Sequence, residues 1–351
     1  MIKVGVIGCG TIANAAHIPS YMKNPEVEIK YFCDDKFYRA ERAVEKYGCG
    51  IAVADYHEVI ADPEIAAVSV CTPNDMHPVI AMDALRAGKD VLCEKPAART
   101  YAEVEQMVQA QRETGKLLAI GVVNRFNDSV RRIKEYIDEG RLGTVDHVYV
   151  SFRQHRSIPG LGGAFTTKAI AGGGVLIDWG VHYLDIVMYC CGDPRPLTVS
   201  GETFSRLGRD IPAYTYRDMW AGPPKMGGTY DVEEAVTGLV RTEGPVISFN
   251  GAWAQNIDEK ECYIDFMGDK GGIRLQYGGN FTLYTAEHGS LVRFTPEFEM
   301  QDMFQREIDS FVDAVQRGTP LPSTVGTVAV TARLMQAVYD SAARHREIRL
   351  D

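Results

Sequence analysis

Val4-Gly5-Val6-Ile7-Gly8-Cys9-Gly10-Thr11-Ile12-Ala13 carries an apolar run straight into a Gly-x-Gly-x-x-Ala turn. Two glycines at this spacing let backbone N–H groups close on a pyrophosphate at the start of a helix, where the helix dipole is positive. The flanks supply the context such a turn needs. Ile2–Ile7 reads as a buried strand, and Thr11–Tyr21 continues as a helix until Asn24-Pro25 stops it. Ala13 stands where a third glycine often falls and still allows close helix–strand packing. Gly8, Gly10, Thr11 and Ile12 are therefore expected to hold a dinucleotide, in preference to forming a plain connecting turn.

The sequence has 351 residues and a formal net charge of −10. That length exceeds one ordinary core, so two domains are expected. The first is a dinucleotide-binding domain over 1–123 and the second a substrate-binding and oligomerisation domain over 124–351. The negative charge disfavours a nucleic-acid partner, which needs clustered Lys and Arg. No apolar stretch of about 18 residues occurs, which argues against a membrane-spanning helix, and no signal-peptide pattern precedes the first strand. The eight cysteines are scattered without any Cys-x-x-Cys. Cys33, Cys71 and Cys93 end apolar runs and read as small buried hydrophobes, and Cys190-Cys191 reads as helix-end packing. A cytoplasmic location is expected.

Val27–Phe32 reads as a second strand ending in Cys33-Asp34-Asp35-Lys36. Asp34 falls about 24 residues beyond Gly10, near where an acidic side chain takes the adenine-ribose hydroxyls. A carboxylate there repels a 2′-phosphate, so NAD is favoured over NADP, although Lys36 and Arg39 stand nearby. Asp34 also suits the cap of the helix that begins near Lys36. Strands at Ile51–Ala54, Ala66–Cys71, Asp90–Cys93 and Leu117–Val123 follow, with helices at His77–Ala87 and Tyr101–Glu113 closed by Gly88 and Gly115. This alternation predicts an α/β domain with a doubly wound parallel sheet of the Rossmann type. Ligands of such sheets lie beyond the carboxyl ends of the strands. That rule selects Thr72-Pro73-Asn74, Glu94-Lys95-Pro96 and Asn124-Arg125, with turn or cap roles as the competing reading for Asn74 and Asn124.

Lys95 is expected to project into the cofactor crevice, held in place by Pro96. Further on, Gly172-Gly173-Gly174 leads into the apolar stretch Val175-Leu176-Ile177-Asp178-Trp179-Gly180-Val181-His182. On a helix, Asp178 and His182 project from one face. A charged pair on an otherwise apolar helix must be satisfied by partners or serve a site. No third ligand at a diagnostic spacing points to a metal.

The Gly8–Ala13 turn, Glu94-Lys95-Pro96 and Asp178-x-x-x-His182, in this order, resemble the glucose–fructose oxidoreductase and inositol dehydrogenase (Gfo/Idh/MocA) family. The similarity takes in Asp34, the Thr72-Pro73-Asn74 turn and His77 after it, and His77, Glu94 and Lys95 join Asp34, Thr72, Asn74 and Asn124 as expected cofactor contacts. The resemblance implies a pyridine-dinucleotide oxidoreductase acting on a sugar, cyclitol or related polyol. It also implies that Lys95, Asp178 and His182 match the family's catalytic positions. Hydride transfer from a carbinol needs a base at the hydroxyl. An imidazole titrates near ~6.5 and suits His182 to that task. Lys95 would then donate to the same oxygen, and Asp178 would orient the imidazole or bind a neighbouring hydroxyl. The reverse assignment of Lys95 and His182 stays open. So do two other readings: glycoside 3-oxidation with recycled NAD, leading to elimination, and a cofactor-sensing regulator without catalysis.

From Asn127 the pattern changes. Ser129–Glu139 reads as an amphipathic helix and Thr144–Phe152 as a long strand. Strand-like runs follow at Leu197–Phe204, Val232–Val240, Val246–Trp253, Cys262–Met267, Gly272–Gln276 and Phe281–Tyr284, and the helices Met303–Gln316 and Val325–Arg344 close the chain. This predicts an α+β domain with an open, mostly antiparallel sheet, one face covered by the Asp178 helix. The exposed face suits pairing into a homodimer or homotetramer. Arg125, Arg153, His155 and Lys168 are candidate contacts for a small polyhydroxyl substrate, with a solvated loop as the competing reading for Arg153, His155 and Lys168. The turn-rich stretch 206–230 is expected to be a lid, an oligomer arm or disordered.

Overall fold

The first sheet is built from short, β-branched runs buried on both faces, the pattern of parallel strands covered by helices. In the computed structural model, which describes residues 1–350, they are β1 (Ile2–Ile7), β2 (Val27–Cys33), β3 (Ile51–Val53), β4 (Ile65–Val70), β5 (Asp90–Glu94) and β6 (Leu118–Gly121). Their order is β3-β2-β1-β4-β5-β6, and every pairing is parallel. Chain order reverses between β1 and β4, which is where a doubly wound sheet opens a crevice. The connecting helices are α1 (Ile18–Lys23), α2 (Phe37–Tyr47), α3 (Tyr56–Ala61), α4 (His77–Arg86) and α5 (Tyr101–Thr114). A π-turn at Ala13–His17 leads into α1, so the expected first helix carries one over-wide turn. The short α3 was not foreseen. Asp55 caps it by accepting the His57 N–H at 2.9 Å, but six residues are too few to display a helical period.

The second sheet has nine strands. After α6 (Asp128–Asp138) come β7 (Val145–Arg153), α7 (Lys168–Ala171) and α8 (Val181–Cys190), then β8 (Pro196–Phe204), β9 (Ala235–Thr242), β10 (Val246–Ala252), β11 (Glu261–Gly268), β12 (Gly271–Gln276), β13 (Phe281–Glu287) and β14 (Ser290–Phe294). Helices α9 (Met303–Arg317) and α10 (Val325–Arg344) precede a last short strand, β15 (Ile348–Arg349). The order is β14-β13-β12-β11-β7-β10-β9-β8-β15. Only β7 and β10 pair in parallel; the other pairings are antiparallel. The face that packs on α8 is apolar, and Phe152 of β7 stacks on Tyr183 of α8 with ring centroids 4.9 Å apart. Among the described residues, no helix is long and apolar enough to cross a membrane.

The chain divides into two compact units. One holds Met1–Phe126 together with Gln301–Ala329, the other Asn127–Met300 together with the residues from Val330 onward. The expected division into two continuous segments at residue 123 differs from this. Segment 301–329 belongs with the first unit because α9 buries Ile308, Phe311 and Val312 in the same core as Val4, Val6 and Phe32. The Ile120 N–H also donates to Ser323 O at 2.8 Å. Phe311→Ala, which empties a fully buried site, should destabilise the first unit by about 3–5 kcal/mol. Urea unfolding of the two proteins side by side measures that loss.

Candidate active site

Gly8 follows β1 with φ +94°, a conformation that L side chains rarely adopt. A Cβ there would lie 2.5 Å from Cys71 O and 2.9 Å from Thr72 N, so only glycine lets the turn cross the end of β4. The Gly8 N–H donates to Cys33 O at 2.7 Å and the Cys9 N–H to Asp34 Oδ2 at 2.9 Å, tying the turn to the end of β2. The carbonyls of Cys9 and Gly10 both accept from Asn14 Nδ2 at 3.0 Å. At Gly10, by contrast, a Cβ would meet nothing within 4 Å. Thr11 is exposed and Ile12 half-buried. Open space thus lies beside the turn at Gly10, where the nearby carbonyls of Cys9 and Gly10 are already occupied and do not repel an anion. The buried Thr72 Oγ1 has no hydrogen-bond partner in the protein.

Asp34 is buried, and its Oδ1 accepts the Lys36 N–H at 2.9 Å. An ionised carboxylate carries about four acceptor sites, so two backbone N–H groups leave room for two ribose hydroxyls. Local turn and ribose roles are therefore compatible. The open space at Gly10, the orphaned Thr72 hydroxyl and the remaining capacity of Asp34 together fit a pyridine dinucleotide.

β5 ends in Glu94 and delivers Lys95, half-buried, ahead of a cis Lys95–Pro96 bond. The Lys95 N–H donates to Glu94 Oε2 at 3.2 Å. Beneath it the buried Glu94 carboxylate lies 2.8 Å from His17 Nε2, and His17 Nδ1 lies 3.1 Å from Ser69 Oγ. Tyr21 OH continues the chain at 2.8 Å from Ser69 Oγ. On β6, Gly121 leaves the necessary room: a Cβ there would sit 3.0 Å from Glu94 Oε1. Burial pulls the His17 imidazole down, but Cys71 and the Glu94 carboxylate push it up further, to about 10. For Glu94, burial raises the carboxyl, and the His17 hydrogen bond together with the positive charges of His17, Lys95 and His77 more than offsets it, leaving it low. Glu307 of α9 goes the other way. Burial and the charge of Glu94 push its carboxyl well up.

Three candidate contacts are reassigned by this geometry. The His77 ring is buried, with Nδ1 2.7 Å from Pro96 O and Nε2 2.9 Å from Thr72 O. It ties the turns after β4 and β5 together and is a positioning residue, not one open to a cofactor. Glu94 likewise acts on Lys95 from below. Arg125 is only 1% exposed, and its guanidinium donates to Pro322 O at 2.6 Å and Thr327 Oγ1 at 3.2 Å. That side chain fastens the 301–329 segment and leaves the set of candidate substrate contacts. Asn74 is half-buried in the turn before α4, and Asn124 is buried in the turn after β6.

In the second unit, a π-turn at Leu176–Gly180 opens the helix that continues as α8. Three N–H groups at its start meet one residue. Glu233 Oε2 accepts from Gly174 N at 2.9 Å, Oε1 from Leu176 N at 3.1 Å, and Glu233 O from Val175 N at 3.1 Å. Tyr339 OH donates to Glu233 Oε1 at 2.8 Å. The glycine run permits this docking, since a Cβ at Gly174 would strike Glu233 O at 1.9 Å and one at Gly173 would strike Tyr339 OH at 2.1 Å. Asp178 is buried and its Oδ2 accepts from Trp253 Nε1 at 3.2 Å. His182 is half-buried, its ring centroid 6.5 Å from that of Tyr277, which stacks on Tyr183 at 4.3 Å.

Arg153 pairs with Glu261, His155 Nδ1 lies 3.1 Å from Gln255 O, and the Lys168 side chain is exposed. The 206–230 stretch is ordered against the 153–168 segment: Arg217 N–H donates to Arg156 O at 3.0 Å, Lys225 N–H to Leu161 O at 2.8 Å and Asp231 N–H to Thr166 O at 3.1 Å. Asn14, His17, Glu233 and Trp253 escaped the sequence reading. Each is a polar group whose partner is remote in sequence or sits on a turn, and no spacing rule flags it.

Gly10→Ala should fold normally and lose NADH affinity by at least tenfold, because the added methyl occupies only the anion cradle; NADH fluorescence titration beside a melting curve separates the two effects. A histidine raised above ~6.5 on folding lends stability that is fully present below ~6.5 and lost as pH climbs through about 10. The melting temperature should accordingly fall between those pH values, and His17→Gln should flatten that fall while lowering stability at neutral pH.

Residues 2–122 match the family described as "Oxidoreductase family, NAD-binding Rossmann fold", and residues 130–274 match the GFO/IDH/MocA C-terminal domain. The chain is 29% identical over 344 residues to D-glucoside 3-dehydrogenase of Escherichia coli (strain K12), covering 97% of this chain and 95% of that one. It is 31% identical over 302 residues to levoglucosan dehydrogenase of Pseudarthrobacter phenanthrenivorans, covering 79% and 74%. A solved structure of levoglucosan dehydrogenase in complex with NADH and levoglucosan shares the fold, with a TM-score of 0.85 at 22% identity over 99% of both chains. The chain belongs to the Gfo/Idh/MocA oxidoreductases, with an NAD-binding Rossmann fold at its N-terminal side.

Proposed function

We propose that this protein is an NAD-dependent dehydrogenase of a sugar, glycoside or cyclitol, working on a ring carbinol. The observation that carries the reading is the half-buried His182 on the same apolar helix as the buried carboxylate Asp178, in a chain whose Gly8–Gly10 turn fits a dinucleotide. Relatives named for D-glucoside and levoglucosan oxidation support a pyranose ring as substrate. Bound NAD supplies the hydride acceptor. His182 takes the hydroxyl proton, and Lys95 donates a hydrogen bond to the same oxygen and stabilises the negative charge that develops there. Asp178 orients the imidazole or holds a neighbouring hydroxyl. Gly8, Gly10, Thr11, Ile12, Asp34, Thr72, Asn74 and Asn124 hold the dinucleotide. Arg153, His155 and Lys168 contribute to the substrate side.

A second reading shares the first step. The similarity to a D-glucoside 3-dehydrogenase favours oxidation at a ring carbon that acidifies the adjacent C–H, so that elimination of the aglycone follows; water then adds in its place and the hydride returns to the ketone, which regenerates NAD. Stoichiometric NADH accumulation supports simple dehydrogenation; glycoside loss without it supports recycling. Exposed apolar side chains at Tyr284, Leu291 and Phe294 suit β13 and β14 to pairing in a homodimer or homotetramer, and eight free cysteines suit a cytoplasmic setting.

Assay with D-glucose, methyl β-D-glucopyranoside, levoglucosan and myo-inositol plus NAD tests the reading. Oxidation of at least one is expected, and inertness toward all four together with absent NADH binding would end it. His182→Ala should cut kcat by about 10²-fold or more while leaving NADH affinity unchanged; a variant turning over at the natural rate removes His182 from the mechanism.

A further inference from the structure

We propose that Trp253 is a positioning residue that aims the Asp178 carboxylate, and that it does so as the shared fastener of three segments of the second unit. The inference rests on the reading above, in which Asp178 serves the reaction. Trp253 follows the end of β10, is fully buried and is among the bulkiest side chains of the interior. Its polar groups reach in three directions. The indole Nε1–H donates to Asp178 Oδ2 at 3.2 Å. The main-chain N–H donates to Glu234 O at 2.8 Å, and the main-chain O accepts from Ser157 N at 2.8 Å.

Each partner leads to a different part of the candidate site. Asp178 lies in the π-turn that opens into α8. Ser157 lies on the 153–168 segment and its hydroxyl hydrogen-bonds Asp218 of the 206–230 stretch. Glu234 receives Arg206 N–H at 2.6 Å and Leu207 N–H at 3.1 Å on Oε1, and Tyr230 OH on Oε2, so it gathers both ends of that stretch. Glu233, one residue earlier, holds the N–H groups that start the Asp178 helix. The adjacent glutamates thus face opposite tasks, and Trp253 joins them to the carboxylate.

Packing alone does not call for an indole here. A core position satisfied by bulk would accept phenylalanine, whereas a buried indole N–H must find an acceptor. The acceptor it finds is Oδ2 of the buried Asp178, 3.2 Å away. The main-chain bonds fix the place of the Trp253 backbone, and the indole N–H gives Asp178 Oδ2 a defined donor.

Site-specific replacement of Trp253 by benzothienylalanine, which keeps the ring shape and puts sulfur where the N–H was, isolates the one bond. The melting temperature should fall by no more than a few degrees and NADH affinity should stay at its natural value, while kcat for the panel sugar that the natural protein oxidises fastest should fall roughly tenfold with KM little changed. 5-Fluorotryptophan, which retains the N–H, should restore the rate. Without substrate, the ¹⁵N-indole resonance of Trp253 should exchange slowly with solvent and move in Asp178→Asn. A benzothienyl protein with natural kcat, or an indole N–H that exchanges freely, overturns the proposal. Asp178→Asn distinguishes the two levels: slow turnover there with an unaffected benzothienyl protein defeats this inference alone, whereas natural turnover in Asp178→Asn defeats the assigned role of Asp178 and this inference with it.

Discussion

Everything at the nucleotide end depends on one close approach of main chain to main chain. Where β1 gives way to the first helix, the chain crosses Cys71 O at a distance that no Cβ tolerates. Because Gly8 has none, the turn settles against the ends of β2 and β4 at once, and open space is left beside Gly10. Asp34 and Asn14 then complete the electrostatics. One holds a turn N–H and the other occupies the turn carbonyls, so what remains exposed is donor-rich and suited to an anion.

The second unit solves a related problem with the same means. The helix bearing Asp178 and His182 also begins at glycines, because the backbone and the Tyr339 hydroxyl come within a Cβ radius of Gly173 and Gly174. There too a buried carboxylate, Glu233, accepts the N–H groups that a helix start leaves unpaired. Both helices open with a π-turn, at Ala13–His17 and Leu176–Gly180, and π-turns recur where a helix must re-aim side chains. His17 falls in one and Asp178 in the other. In each unit a residue singled out for chemistry is steadied by a buried polar partner: Glu94 by His17 beneath Lys95, and Asp178 by Trp253.

Burial decides which polar residues touch a ligand and which merely hold others in place. His77 and Arg125 are the sorts of residues that sequence reasoning assigns to a site, since both follow strand ends of an α/β sheet. Their environments say otherwise. A ring bonded to two carbonyls and a guanidinium bonded to a distant loop carbonyl are already satisfied, and a buried group gains nothing by exchanging such bonds for a ligand's.

The local sequence determined the strands of the first unit and its helices apart from the short α3, the glycine turn, the acidic end of β2 and the Lys95 and Asp178–His182 motifs. All of these are matters of period, propensity or short spacing, which act within a few residues along the chain. Tertiary structure alone decided that α9 returns to the first core, that the 206–230 stretch zips onto the 153–168 segment, and that His17, Glu233 and Trp253 lie under the functional side chains. Those outcomes depend on which apolar stripe finds which groove and which buried donor finds which acceptor across dozens of intervening residues. No local pattern encodes such pairings, because their energies exist only once the chain has folded.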